Sequence, residues 1–284
     1  MKYRTARNAE IVSRHWGKSL EQDKWFDISG KDDETPVIRI YDVIGWPWID
    51  ADTFVGELSE IKSERAKLKI NTPGGDVFDG TAIYNELKNH NTKFDVEIDG
   101  LAASMGSLIA LAGDTVSIAD NAWYMIHNPW SFMAGDYIDF RKEADLLERM
   151  AESMSRTYVD ESVYESKVMR KMMDDETWLL GEEAVAAGFA DSVTGESGDA
   201  SAKFNTSVFN NTPEDIQRAA HNYKPSKRDA ERALRDVGFS QTEAKALVAQ
   251  ANFQRDVDIS IVGDLCDIDE LKKLLSSNLK TLQE

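Results

Sequence analysis

Two short segments place a serine and a histidine where they can act as a nucleophile and its base. Ser104 lies within residues 100–107 (GLAASMGS), and His127 directly follows the apolar stretch 123–126. A serine hydroxyl attacks a carbonyl only when a base removes its proton, and a neutral imidazole titrates near neutral pH. The small residues around Ser104 leave room for a substrate carbonyl. The pair therefore predicts acyl-transfer chemistry.

A third segment, residues 70–75 (INTPGG), adds a candidate anion site. An apolar strand is predicted to run into a Pro-Gly-Gly turn, whose backbone amides would face outward instead of pairing. Such amides can donate to the oxyanion of a tetrahedral intermediate, and the amide of Met105 would complete the hole. A hydroxyl, an imidazole and an anion-binding turn in this order favour catalysis over simple packing.

Four segments in this order resemble the Clp protease proteolytic subunit (ClpP) family of serine proteases. The resemblance is greatest to phage and prophage members that act as head-maturation (prohead) proteases. It implies that Ser104 is the nucleophile, His127 the base, and Gly75 and Met105 the oxyanion-hole amides. The matching segments, which span roughly residues 35 to 195, are 70–75, 100–107, 124–129 (YMIHNP) and 176–191 (ETWLLGEEAVAAGFAD).

The third member of the implied triad departs from the family pattern. ClpP enzymes place an aspartate shortly before the segment that matches residues 183–191, and the corresponding residue here is Glu176. A carboxylate at this position accepts the Nδ1–H of the histidine and fixes its tautomer. Because the extra methylene of glutamate changes its reach, Asp175 is kept as the alternative acid.

The hydrophobic pattern predicts an α/β fold of largely parallel strands with the active-site turns at one edge. The resemblance adds a ClpP/crotonase-like spiral of β-β-α units and a handle helix that inserts between two rings of subunits. Strands are predicted over 37–44, 67–71, 94–98, 115–118 and 123–126, and helices from about 50, over 79–90, 104–112 and 136–158.

Composition along the chain predicts four parts. Residues 1–35 read as an N-terminal arm or early strand, 36–195 as the protease-like domain, 196–224 as a linker and 225–284 as a helical C-terminal region. The last part is predicted to hold helices over 227–236, from a capping box at 240–243, and over 268–282. We expect this region either to dock on capsid or scaffold protein or to act as a solubilising appendage.

Charge and composition restrict the classes of function. A formal net charge of −18 argues against a nucleic-acid-binding protein. The single cysteine, Cys266, cannot form an internal disulfide, and the four histidines are scattered, so neither a disulfide nor a metal site is predicted. No apolar run is long enough for a membrane span, and the first residues lack a signal-peptide pattern. The expected location is the host cytoplasm or a phage procapsid.

The sequence is therefore interpreted as an ATP-independent serine endopeptidase that needs no cofactor. Through the resemblance, its substrates are predicted to be phage capsid or scaffold proteins, and its main partner a second copy of itself in a homo-oligomeric ring. A separate ATPase partner is not required. Two alternatives stay open: a catalytically inactive ClpP-like assembly scaffold, and a crotonase-fold acyl-CoA enzyme, which would not need a Ser–His pair.

Overall fold

The computed structural model describes residues 6–20, 24–30, 35–195 and 204–214, together with positions 216, 241 and 245. The chain divides into two compact units, residues 1–222 and 223–284. Of the second unit only Gln241 and Lys245 are described, and both are helical and exposed. The helices predicted over 227–236 and 268–282 lie outside the described residues.

The first unit alternates strands and helices. The strands are β1 (Phe26–Ser29), β2 (Val37–Ile40), β3 (Arg65–Thr72), β4 (Lys93–Ala103), β5 (Thr115–Ala119), β6 (Trp123–Ile126), β7 (Thr177–Leu180) and β8 (Ser192–Thr194). The helices are α1 (Ala6–Trp16), α2 (Ala51–Leu58), α3 (Val77–Asn89), α4 (Met105–Ala110), α5 (Tyr137–Asp160), α6 (Ser166–Asp174) and α7 (Gly181–Ala186). A 3-10 turn covers Thr206–Val208.

All eight strands belong to one sheet, in the order β1-β2-β3-β4-β5-β8, with β6 pairing to both β4 and β7. The pairs β2–β3, β3–β4, β4–β5, β5–β8 and β4–β6 are parallel, whereas β1–β2 and β6–β7 are antiparallel. The long strand β4 pairs with β5 along its first half and with β6 along its second half. The predicted α/β class, with largely parallel strands, is confirmed.

The first half of the sheet has one apolar and one charged face, as the alternation of β3 shows. Ala66, Leu68 and Ile70 are fully buried in the main core. The lysines between them point to the other face, where Lys67 pairs with Glu97 of β4 at 2.7 Å. A strand with this period of two must bury one face only.

The second half of β4, with β6, is covered on both faces. Ala102, Tyr124 and Ile126 belong to the main core. On the opposite face Leu101, Ala103 and Met125 form a second buried cluster with aromatic side chains from two other segments. Those segments are helix α1 and residues 204–214, which we call the strap. Helix α1 and the strap therefore exclude solvent from the second face at this end of the sheet.

Two stretches contain structure that the sequence pattern did not predict. Residues 1–35, predicted as an arm or early strand, contain strand β1 and also helix α1. The predicted linker, 196–224, contains the strap, in which Phe204, Phe209 and Thr212 are buried. Its few apolar residues show no helical or strand period, so the pattern gave no sign that they pack against the sheet.

Candidate active site

Strands β4 and β6 bring Ser104 and His127 together. The strands are parallel and adjacent, Ala103 pairs with Met125, and both candidate residues directly follow their strands. Because the carboxyl ends of neighbouring parallel strands meet at one edge of a sheet, the two side chains converge. The Oγ of Ser104 lies 2.8 Å from Nε2 of His127, which is hydrogen-bonding distance.

Ser104 occupies a sharp strand-to-helix turn. Its backbone has φ 54° and ψ −123°, a conformation that a residue with a side chain rarely adopts. The turn is held at both sides: the N–H of Ser104 donates to the carbonyl of Met125 at 3.0 Å, and its carbonyl accepts from the N–H of Ser107 at 3.0 Å. The strained backbone thus holds the hydroxyl toward His127 at the start of the buried helix α4.

The imidazole of His127 is almost fully enclosed, with 6% of its surface exposed. Burial lowers its pKa from 6.5 to about 4, and the nearby negative charge of Glu176 opposes this change. The ring of Phe209, from the strap, packs edge-on against it with a centroid distance of 5.7 Å. At neutral pH the imidazole is therefore uncharged and able to accept the Ser104 proton.

The Pro-Gly-Gly turn lies against the serine turn. The N–H of Ile44 donates to the carbonyl of Gly74 at 2.8 Å, and the N–H of Asp76 donates to the carbonyl of Ile44 at 2.9 Å. These bonds hold Gly75 so close that an added Cβ would lie 2.0 Å from the Ile44 carbonyl oxygen. Within the described part of the chain the N–H groups of Gly75 and Met105 donate to no protein acceptor.

Strand β7 brings Glu176 opposite His127. In the antiparallel pair β6–β7, Ile126 lies opposite Thr177. Because the strands run in opposite directions, the residue after Ile126, His127, lies opposite the residue before Thr177, Glu176. Glu176 is buried and, like Ser104, has a positive φ, 52°. Among the described residues, these two are the only non-glycine residues with positive φ, a kind of strain that concentrates at functional sites.

The carboxylate of Glu176 accepts hydrogen bonds from the strap and from Trp178. Its Oε1 accepts from the N–H of Asn211 at 2.7 Å and from Nε1 of Trp178 at 3.2 Å. Its Oε2 accepts from the N–H of Asn210 at 2.9 Å. Within the described ranges no hydrogen bond joins Glu176 to His127, so the predicted acid lies opposite the predicted base without a hydrogen bond to it.

The neighbouring carboxylates face elsewhere. Asp175 is more than half exposed and forms an ion pair with Lys171 at 2.5 Å. Asp174 accepts a hydrogen bond from Nδ2 of Asn128 at 2.7 Å. Of the candidate acids, only Glu176 contributes negative charge to the environment of His127.

A cleft opens above Ser104 and His127, with walls from four parts of the chain. These are α1, the loop before α2, the glycine turn with the start of α3, and the segment after His127. The lining residues are Asn8, Val12, Trp16, Trp46, Gly75, Asp76, Val77, Ser104, His127, Pro129, Trp130, Ser131 and Phe132. The sequence pattern did not predict that α1 lines the cleft or that amides of the strap donate to Glu176. Isolated aromatic residues such as Trp16 were the only sign of the α1 wall. Nothing in the pattern marked the strap amides.

The described residues hold neither a cluster of metal-ligating side chains nor a membrane-spanning helix. Over the ranges that the structure describes, no group of three or more histidine, cysteine, aspartate or glutamate side chains is arranged to hold a metal ion. In the same ranges no helix combines the length and apolarity that crossing a membrane requires.

Comparison with known proteins gives a consistent result. The Clp protease family profile matches residues 22–197, which include β1 to β8 and all the candidate catalytic residues. Over 132 residues the chain is 34% identical to the ATP-dependent Clp protease proteolytic subunit of Epifagus virginiana, covering 45% of this chain and 67% of that protein. Over 141 residues it is 28% identical to the protein of the same name from Leuconostoc citreum (strain KM20), covering 48% and 70%. The chain therefore belongs to the Clp protease family, and this membership indicates peptidase activity.

Proposed function

We propose that the chain is a serine endopeptidase in which Ser104 attacks the substrate and His127 carries the proton. The observation that supports this most directly is the 2.8 Å approach of Ser104 Oγ to His127 Nε2 at a strained turn. Oγ bonds to the peptide carbonyl carbon as its proton moves to Nε2. The carbon–nitrogen bond then breaks, and Nε2–H protonates the leaving amine. Water hydrolyses the acyl-enzyme by the same proton path.

The proposed site contains groups that would stabilise both charges formed in this reaction, the oxyanion and the imidazolium. The N–H groups of Gly75 and Met105, which bind no protein acceptor in the described residues, would donate to the tetrahedral oxyanion. Glu176 is proposed as the acid. Its negative charge raises the pKa of His127 against the effect of burial and so stabilises the imidazolium that forms during attack.

The natural substrates are proposed to be capsid or scaffold proteins of a phage, cut within homo-oligomeric rings. The support is the likeness of four sequence segments to head-maturation proteases. The sequence has no G-x-x-x-x-G-K-[ST] phosphate loop, so the proposed cleavage does not use ATP on this chain. Any unfolding driven by ATP would come from a separate partner.

A second candidate is an inactive assembly scaffold with the same fold. The observation in its favour is that Glu176 bonds to the strap and not to His127. A crotonase-type acyl-CoA enzyme, the remaining alternative, leaves the close Ser104–His127 pair without a role.

Labelling with a fluorophosphonate probe, followed by peptide mass mapping, separates these candidates. An endopeptidase gives an adduct on Ser104 that disappears in Ser104→Ala and falls by at least a thousandfold in rate in His127→Ala. Phage substrates are then tested by incubating the protein with purified capsid and scaffold proteins. A folded, assembled protein without an adduct on Ser104 would refute the peptidase proposal and favour the scaffold.

A further inference from the structure

Two segments at or beyond the ends of the Clp family match pack together beside the candidate site. Helix α1 precedes the matched residues and the strap follows them. Nδ2 of Asn205 donates to the carbonyl of His15 at 3.2 Å, and the rings of Trp16 and Phe209 meet edge-on at 6.2 Å. Both segments cover the second face of β4 and β6. Both segments therefore lie outside the family match and adjoin the candidate reactive residues.

The strap supplies most of the hydrogen bonds to Glu176. Three of the four donors are its own: the N–H of Asn210, the N–H of Asn211 and, at 3.5 Å, Nδ2 of Asn210. The fourth is the indole of Trp178. Glu176 is only 6% exposed, and no lysine or arginine of the described ranges forms an ion pair with it. A buried carboxylate without a cation depends on such donors, because leaving it unsatisfied is costly.

The strap is also held by one hydrogen bond to a neighbouring segment, one hydrogen bond within itself and two ring contacts. Nδ2 of Asn211 donates to the carbonyl of Asp175 at 2.7 Å, and Oγ1 of Thr212 donates to the carbonyl of Thr206 at 2.8 Å. The ring of Phe209 lies against both His127 and Trp178. The strap is thus anchored beside the acid and in contact with the base.

We propose that the strap is a positioning element for the catalytic acid: the amides of Asn210 and Asn211, with the Trp178 indole, hold the Glu176 carboxylate where its charge acts on His127 through space. This inference rests on the proposed function. These groups touch neither substrate nor reacting atoms. They act through Glu176, whose backbone is registered opposite His127 but whose oxygens bond elsewhere.

A double-mutant cycle tests the inference. Asn211→Pro removes the N–H that donates at 2.7 Å, because proline lacks an amide hydrogen. We expect this change to lower the rate of fluorophosphonate labelling of Ser104 by at least tenfold. In a Glu176→Gln background, the same change should lower the rate by less than twofold, because the carboxylate through which the amide acts is already gone.

Matched variants separate the amide from general damage to the fold. Asn211→Ala keeps the backbone N–H, and we expect it to recover most of the rate that Asn211→Pro loses. Trp178→Phe removes a second donor and shortens the ring system. Its control is Trp123→Phe, which makes the same truncation in a neighbouring ring 6.3 Å away that is not a donor to Glu176. If Asn211→Pro does not fold, the cycle is run with Trp178→Phe.

A spectroscopic measurement adds a readout that does not depend on turnover. The ring nitrogen resonances of His127 should shift in Trp178→Phe and in Asn211→Pro, and less in Asn211→Ala. The inference would be overturned if Asn211→Pro lowered the labelling rate as much in the Glu176→Gln background as in unmodified protein. Unshifted His127 resonances, or faster labelling in Asn211→Pro, would also overturn it. Failure of the proposed function would give a different result. Unmodified protein would then give no adduct on Ser104, while the His127 resonances would still shift in the strap variants.

Discussion

The two halves of the candidate site are built in different ways. Ser104 and His127 follow two adjacent parallel strands within the family-matched body, and strand register alone brings them to 2.8 Å. Glu176 is brought opposite His127 by an antiparallel pair, but its carboxylate is held by amides 34 and 35 residues further along the chain. One half is complete within the sheet, whereas the other depends on a segment beyond the family match.

The two halves therefore differ in what holds them, although all three proposed catalytic residues lie within the family match. The proposed nucleophile, its proposed base and the glycine turn are positioned by the sheet and its turns. The proposed acid is a glutamate with φ 52° whose carboxylate accepts hydrogen bonds from the strap. Variants that affect the first half should therefore have larger effects than variants that affect the second.

Apart from Ser104 and His127 themselves, the largest effect is expected at the glycine turn. Gly75→Ala places a Cβ 2.0 Å from the Ile44 carbonyl oxygen, so the turn must move and its amide leaves the oxyanion position. We expect peptide hydrolysis to slow by about 10²- to 10³-fold, as for loss of one oxyanion donor. Gly56→Ala, at an exposed position of helix α2 with open space around it, is the control and should leave the rate unchanged. A normal rate in folded Gly75→Ala would contradict the assignment.

The acid half should respond less strongly. Glu176→Gln removes the charge near His127, and we expect the labelling rate of Ser104 to fall about 10- to 100-fold. This is less than the roughly 10⁴-fold loss typical when an acid bonds directly to the imidazole, because no such bond joins Glu176 to His127. Asp175→Asn changes an exposed partner of Lys171 and should alter the rate by less than about twofold. Equal losses in both variants would remove the distinction between these carboxylates.

The pH dependence reports on the base itself. Burial lowers the pKa of His127 to about 4, and only the neutral imidazole accepts the Ser104 proton. The labelling rate should therefore stay high at pH 5 and fall as the pH drops through about 4. Because the unfolded chain binds this proton near pH 6.5, the free energy of unfolding should also decrease as the pH falls from 6.5 to 4. A labelling rate that falls by half near pH 6.5 would contradict the lowered pKa of His127 and the burial that causes it.

The smallest effect concerns backbone strain. Ser104 has φ 54°, which glycine adopts freely and alanine does not. In urea unfolding, Ser104→Gly should be more stable than Ser104→Ala by about 1 kcal/mol. The same pair at Glu152, an exposed position within helix α5, should give the opposite sign, since glycine destabilises a helix interior by about 1 kcal/mol relative to alanine. The same sign at both positions would mean that Ser104 is not strained.

Much of the fold could be predicted because its signals are local. The apolar stretches at 67–71, 94–98 and 123–126 coincide with strands β3, β4 and β6, and the helix predicted over 136–158 coincides with α5. Small residues around Ser104 and the Pro-Gly-Gly turn mark the points where the chain must adopt unusual backbone angles. Hydrophobic period and turn chemistry act over a few residues, so they can be read without a structure.

The surroundings of Glu176 could not be read in this way. Nothing local indicates that Asn210 and Asn211 turn their amides toward a carboxylate more than thirty residues earlier, or that α1 forms a wall of the cleft. Such contacts arise because the second face of β4 and β6 is apolar and must be covered, and any apolar segment of suitable shape can cover it. The amino-acid order alone thus specifies the serine, the histidine and the strands that carry them. The partner of the acid is set by long-range packing, which a linear pattern does not encode.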